Sequence, residues 1–173
     1  MKSMKILVFS DSHGDDRRMS QALAAHPDAE GVFFLGDGIR GAAALVAPDA
    51  ERFFLGVKGN CDGGILGLIS PSADVREEEI ITLMGYRILL VHGHREGVKG
   101  GLGALIASAR RREIDLALFG HTHVPRSEYL SDGEKPLYLF NPGSISRPAD
   151  RNPTYGVLLL TEKGILLSHG FVE

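Results

Sequence analysis

The sequence holds a single cysteine, Cys61, in 173 residues. No intramolecular disulfide can form, so nothing calls for an oxidising compartment and a reducing cytoplasm is the expectation. An excess of charge is also missing: 19 Lys and Arg stand against 22 Asp and Glu, a formal net charge of -3. No whole-molecule field gathers nucleic acid or an anionic membrane, so stable binding to either is not expected and any attraction for phosphate must be local. Long apolar runs are absent as well. The run after Lys5 is too short for a signal-peptide core and lacks a small-residue cleavage site, and none approaches the roughly 20 residues that cross a bilayer. With no repeat, low-complexity tract or linker, one domain over residues 1–173 is expected. Oligomeric state is left open, a homo-oligomer included.

What is present is an alternation of short apolar runs and amphipathic stretches. Ile6 to Phe9 reads as a buried strand entering the polar cluster Ser10 to Asp16. A helix over 15–26 follows from Met19, Ala22, Leu23 and His26 at i, i+3, i+4, i+7. Asp15 and Asp16 fall where the helix dipole favours negative charge, and Pro27 closes the helix. Val32 to Leu35 is a second strand, Ile39 to Val46 a helix and Arg52 to Val57 a third strand, giving βαβαβ with functional loops at the carboxyl ends of parallel strands. Beyond residue 70, Ala73 to Leu83 and Arg87 to Val91 predict a hairpin around Met84-Gly85-Tyr86. A helix over 99–112, strands at Leu116 to Phe119 and Leu137 to Phe140, and a closing hairpin of Thr154 to Leu160 and Ile165 to Phe171 around Lys163-Gly164 complete the reading. The pattern predicts an α/β fold of two packed sheets with outer helices.

Five of the seven histidines, His13, His92, His94, His121 and His123, lie in glycine-rich patches just after these strands. In order, the patches are Asp11-Ser12-His13, Gly36-Asp37, Gly59-Asn60-Cys61-Asp62, His92-Gly93-His94 and Gly120-His121-Thr122-His123. Residues two apart in extended chain point the same way, about 6.6 Å apart. Asp11 with His13, and His121 with His123, can therefore share one cation or face two. Paired hydrolytic cations sit about 3.5–4 Å apart, a span one carboxylate bridges, and Asp37 is the natural bridge. Mixed imidazole, carboxylate and amide donors suit divalent transition metals better than calcium or a thiolate zinc site. Manganese leads the expectation, with zinc, iron and nickel left open. Two such cations against two aspartates leave a positive centre, and a small anionic phosphate ester is the matching substrate.

The ordered motifs resemble those of the calcineurin-like metallophosphoesterases, above all their small single-domain bacterial and archaeal phosphodiesterases, over residues 5 to about 145. The resemblance implies a four-layer αββα sandwich. It also implies that Asp11, His13, Asp37 and His123 hold one metal while Asp37, Asn60, His92 and His121 hold the other. The larger family usually has Gly-Asn-His-Asp or Gly-Asn-His-Glu, whose histidine contacts phosphate and protonates the leaving oxygen; here Cys61 takes that place. Gly-Asn-Cys-Asp resembles the variant of the small phosphodiesterase branch, which inclines the expectation towards diesters. A thiol near pKa 8.5 replaces imidazole poorly as a proton donor. His94, two residues after a ligand, is therefore the candidate acid, and Asp37, Asn60, Cys61 and His94 form the candidate catalytic set. The expected reaction is in-line attack on phosphorus by water acidified between the two cations.

Other readings stand beside these. The aspartates and histidines can serve as strand-end caps and turn formers. Lys99-Gly100-Gly101-Leu102-Gly103 lacks the Walker and Rossmann spacings and reads as a loop entering a helix. Arg110-Arg111-Arg112 reads as compensation of a helix dipole, and His26 and His169 as structural or surface residues. Asn141-Pro142-Gly143-Ser144 is expected to shape the floor of the site. The competing function is a protein-interaction scaffold of the same fold, like the retromer-coat subunit of eukaryotes.

Overall fold

A computed structural model describes residues 2–63, 75–133 and 135–172. Its chain order begins β1 (Ser3–Phe9), α1 (Arg17–Ala25), β2 (Gly31–Phe34), α2 (Ile39–Val46) and β3 (Phe53–Gly56). It continues with β4 (Glu78–Leu83), β5 (Tyr86–Val91), α3 (Gly103–Arg111), β6 (Leu116–Leu118) and β7 (Pro125–Leu130), and ends with β8 (Leu137–Pro142), β9 (Thr154–Thr161) and β10 (Gly164–Phe171). The strands form two mixed five-stranded sheets, ordered β10-β9-β1-β2-β3 and β4-β5-β6-β8-β7. In the first, β1, β2 and β3 run parallel, as the βαβαβ reading requires. In the second, β5, β6 and β8 run parallel.

Alternation along the strands divides the apolar side chains into three clusters. Ile6, Val8, Phe33, Leu90, Leu118, Phe140 and Leu158 are buried between the sheets. Their neighbours Leu7, Phe9, Val32 and Phe34 face the other way and pack on Met19 and Leu23 of α1 and on Ile39, Ala42 and Val46 of α2. Leu89, Val91, Ala117 and Phe119 do the same against Leu105 and Ala109 of α3. Both central sheets are covered on two faces, which produces the four αββα layers and explains why the inner strands read as unbroken apolar runs. Among the described residues no helix is long and apolar enough to cross a membrane.

Several boundaries differ from the expected ones, for local reasons. Helix α1 begins at Arg17, and neither acid lies in its first turn: Asp15 pairs with the Arg17 guanidinium, while Asp16 occupies the N-cap position without a capping hydrogen bond. Helix α3 begins four residues later than expected, because Gly101, inside the expected span, has a φ of 142°, a value no α-helix contains. Strand β4 covers only the second half of its predicted span, of which residues 73–74 lie outside the described residues. The Met84-Gly85 turn has φ of 52° and 85°, the left-handed pair that a two-residue hairpin demands. In the closing hairpin Gly164 already pairs with Thr161, so the turn is Glu162-Lys163. Strand β7 has no counterpart in the sequence reading.

Candidate metal centre

The carboxyl ends of the central strands of both sheets bring their loops together at one cluster of side chains. The first sheet brings Asp11 and His13 after β1, Asp37 after β2 and Asn60 after β3; the second brings His92 after β5 and His121 and His123 after β6. The backbone is bent hard here. Of eight non-glycine residues with positive φ among the described residues, five are Asp11, His13, Asp37, His121 and His123, at 46° to 66°. Such conformations cost about 1–3 kcal/mol each and persist where surrounding structure imposes them. The purpose served is convergence: alternate side chains of these tight loops all turn inward.

Among the described residues, three sets of donor atoms lie within 4.8 Å of one another: Asp11, His13 and His123; Asp11, Asp37 and His92; and His13, Asp37 and Cys61. Asp11, His13 and Asp37 each belong to two sets. The Asp11 carboxylate is fully buried. Its Oδ2 accepts from the Ser10 hydroxyl at 2.6 Å and the His121 amide at 3.1 Å. Its Oδ1 has no aligned donor among the described residues, although His123 Nε2 lies 3.1 Å away and His13 and His92 Nε2 lie 3.9 and 4.0 Å away.

Imidazole orientation makes the site's chemistry explicit. His92 donates from Nδ1 to the Leu35 carbonyl at 2.6 Å, and His123 donates from Nδ1 to the Arg147 carbonyl at 2.6 Å. In the neutral rings these bonds leave Nε2 as a lone pair. The His92 lone pair faces Asn60 Oδ1 at 3.2 Å and Asp37 Oδ2 at 3.5 Å; that of His123 faces Asp11 Oδ1 at 3.1 Å. Acceptors thus confront acceptors, an arrangement that only protons or cations in their midst can stabilise. Divalent metals fit this donor set, with imidazoles already oriented by their outer hydrogen bonds.

The titrations follow from the same crowding. Burial opposes ionised Asp37, but hydrogen bonds from His92 and the Cys61 amide (2.7 Å) hold its carboxyl well below the usual range. Burial likewise opposes protonation of His92, yet the Asp37 hydrogen bond and the Asp11 charge raise it above its ordinary value. His123 is raised by its contact with Asp11, against burial. His13 is lowered chiefly by burial. His121 is pushed down to about 4 by burial, then by the fields of His92 and Lys99. Burial and the neighbouring Asp37 push the Cys61 thiol up to about 11.

The remaining sequence-derived residues lie at the edge of this cluster. The His121 ring meets His92 edge-on, with centroids 5.0 Å apart, and belongs to none of the three donor sets. His94 sits 5.4 Å from His92 and 6.1 Å from His121, with a buried Nδ1 that has no hydrogen-bond partner among the described residues. Asn60 directs its amide nitrogen to Cys61 Sγ at 3.3 Å, which leaves its oxygen towards His92. The floor is built as expected from the end of β8 and the loop that follows it. Asn141 donates to the Gly120 carbonyl and the Thr122 hydroxyl, both at 3.0 Å, and Ser144 donates to the Asp11 carbonyl at 2.8 Å. Sequence reasoning missed Ser146, which reaches the carbonyls of Asp11 and Ser12, and the backbone acceptors Leu35 and Arg147. The carbonyls leave no trace in side-chain identity.

Known proteins share this arrangement of chain. A model of the calcineurin-like phosphoesterase superfamily domain matches residues 4–163. The probable metallophosphoesterase YsnB of Bacillus subtilis is 32% identical, covering 91% of this chain and 85% of its own. The phosphodiesterase YfcE of Escherichia coli is 29% identical, covering 90% and 87%. Among solved structures, a predicted phosphoesterase of Streptococcus pneumoniae aligns over 99% of this chain and 91% of its own, with a TM-score of 0.78 and 26% identity. Vacuolar protein sorting 29 of Cryptosporidium parvum shares the fold, with a TM-score of 0.65 at 17% identity over 98% of each chain. The chain belongs to the calcineurin-like phosphoesterase superfamily.

Proposed function

We propose that this protein is a cytoplasmic phosphodiesterase that works with two divalent cations, manganese foremost, on small phosphate diesters. The observation that carries this reading is the confrontation of acceptors around Asp11 and Asp37, with His92 and His123 already oriented by backbone carbonyls. Asp11, His13, Asp37 and His123 hold one cation; Asp37, Asn60, His92 and His121 hold the other. When bound, such a pair supplies Lewis-acid charge neutralisation and lowers the pKa of water towards about 7.

The chain's own groups do the rest. Asp37, kept ionised by His92 and the Cys61 amide, presents both oxygens towards the donors on either side of it. Asp11 is held rigid by Ser10 and the His121 amide, so its free oxygen needs no reorganisation on loading. His94, beside His92 and His121, would be the group that donates a proton to the leaving oxygen. Cys61 is protonated at neutral pH, but a thiol raised to about 11 is too weak an acid for that transfer. The diester preference rests on the Cys61 variant and on the relative named as a phosphodiesterase.

Metal analysis combined with a panel of aryl and alkyl diesters, monoesters and cyclic nucleotides tests the reading. Asp37→Ala should abolish paired-metal binding and most turnover; full activity in that variant ends the proposal. Equal losses for His94→Ala on an activated aryl diester and on an alkyl diester would remove its acid role, since a good leaving group hardly needs a proton. The likeness to vacuolar protein sorting 29 keeps one other function in view. A manganese-loaded protein inert on the whole panel would return the assignment to an interaction scaffold.

A further inference from the structure

Asp62 ends the Gly59-Asn60-Cys61-Asp62 turn and takes no part in the chemistry described above, yet its carboxylate is the most heavily bonded group beside the pocket. Oδ1 accepts from the amides of Gly38 at 2.8 Å and Ile39 at 3.2 Å. Oδ2 accepts from the amides of Asp37 at 2.7 Å and Gly59 at 2.8 Å. Three of these are successive N–H groups leading into α2, where a helix has unpaired donors and the positive end of its dipole. The traffic runs the other way too, since Asp37 Oδ1 accepts from the Cys61 amide at 2.7 Å. The loop after β2 and the loop after β3 therefore each insert a carboxylate into the other's backbone.

The clasp is tight. A Cβ added at Gly59 would lie 2.1 Å from Asp37 Oδ1, so the two loops touch backbone to carboxylate. Asp37 is also at φ 59°, in the left-handed region that aspartate visits only occasionally. Its own amide N–H is the one that donates to Asp62 Oδ2, so the clasp closes on the residue whose backbone is bent.

We infer that Asp62 is the positioning residue of the site: by clasping the two loops it fixes Asp37 and Asn60 as one preset pair of donors. The inference rests on the reading that both face a cation. It explains why an acid stands at the end of the turn. Four N–H groups need two acceptor oxygens, whereas an asparagine would turn an NH2 group against two of the donors.

The test is Asp62→Asn, read first without metal, by amide hydrogen exchange at Asp37, Gly38, Ile39 and Gly59, and then by manganese titration. Exchange at these amides should speed up at least tenfold while that of the β1 amides stays unchanged. Manganese affinity should fall roughly 10–100-fold, the usual cost of losing an outer-sphere partner. Unchanged exchange at the four amides overturns the clasp. A lower Tm with manganese affinity within about twofold of the parent overturns the positioning role and leaves a purely structural one. Should that variant fail to fold, Asp62→Glu keeps the charge, shifts the oxygens by one methylene and carries the same two readouts. A parent protein that takes up no manganese refutes the metal reading instead, and exchange in the metal-free protein still decides the clasp.

Discussion

Cys61 gives the plainest residue-level consequence of how charge is arranged around the pocket. Its exposed thiol is the single sulfhydryl of the chain, so alkylation reports on it alone. Burial and the adjacent Asp37 carboxylate raise it to about 11. In metal-free protein the alkylation rate should climb through that pH rather than near 9, and Asp37→Asn should bring the midpoint down. An unchanged midpoint in the variant would show that Asp37 does not act on the thiol. His121 is shifted downward, to about 4, by burial and by His92 and Lys99. A base depressed in the folded state binds its proton more readily once unfolded. Its stability contribution is complete above the ordinary value near 6.5 and is lost as pH falls to 4. His92 and His123, raised on folding, contribute the opposite way: their stabilisation is present below 6.5 and decays as pH rises through their raised values. Thermal denaturation of metal-free protein should therefore show Tm falling between pH 6.5 and 4 with a gentler slope in His121→Gln, and an identical slope would contradict the shift.

At the scale of elements, the parts legible in the sequence are those whose pattern had one physical cause. Strands β1, β2 and β5 are buried on both faces, so they read as apolar runs; α2 lies between a left-handed glycine and Pro48, and its bounds are as expected. Strand β7 was invisible because it is an edge. Pro125, Arg126 and Glu128 blunt a strand that pairs only with β8, and polar edge strands look like loops. The candidate ligands were legible because aspartate and histidine stood out at apolar strand ends. Among their supports Asn141 and Ser144 were legible too, whereas the Leu35 and Arg147 carbonyls and Ser146, in the loop after β8, were not. That loop carries its own prediction. The buried Ser144 hydroxyl donates to the Asp11 carbonyl and accepts the Arg147 amide at 2.8 Å, while the Arg147 carbonyl orients His123. Ser144→Ala removes one of the two hydroxyl donors to the Asp11 carbonyl, Ser146 being the other, and leaves the Arg147 amide without its acceptor, a loss of about 1 kcal/mol. Urea denaturation should show that loss, and manganese affinity should weaken with it because His123 loses its fixed ring. Retained affinity would mean that the loop supports the fold alone.

Across the whole molecule, the site is shared between layers. Asp11, His13, Asp37 and Asn60 follow strands of one sheet and His92, His121 and His123 strands of the other, so the side chains packed between the sheets should set the distance between these two groups of donors. Cations that bind only this folded arrangement stabilise it by mass action, about 4 kcal/mol at a thousand times the dissociation constant. Chelation should accordingly lower Tm, reversibly. The same geometry separates two truncations of equal chemistry. Leu118 lies fully buried between the sheets, two residues before Gly120; Leu105 lies fully buried on α3, behind the second sheet. Truncating either to alanine should cost about 2–5 kcal/mol in the metal-free protein. Only Leu118→Ala lets the sheets approach or shift relative to each other, so only it should also weaken manganese binding, whereas Leu105→Ala should bind manganese like the parent. Equal affinity losses in the two variants would mean that the donors are positioned by their loops alone, and that the packing between the sheets holds the fold without setting the centre.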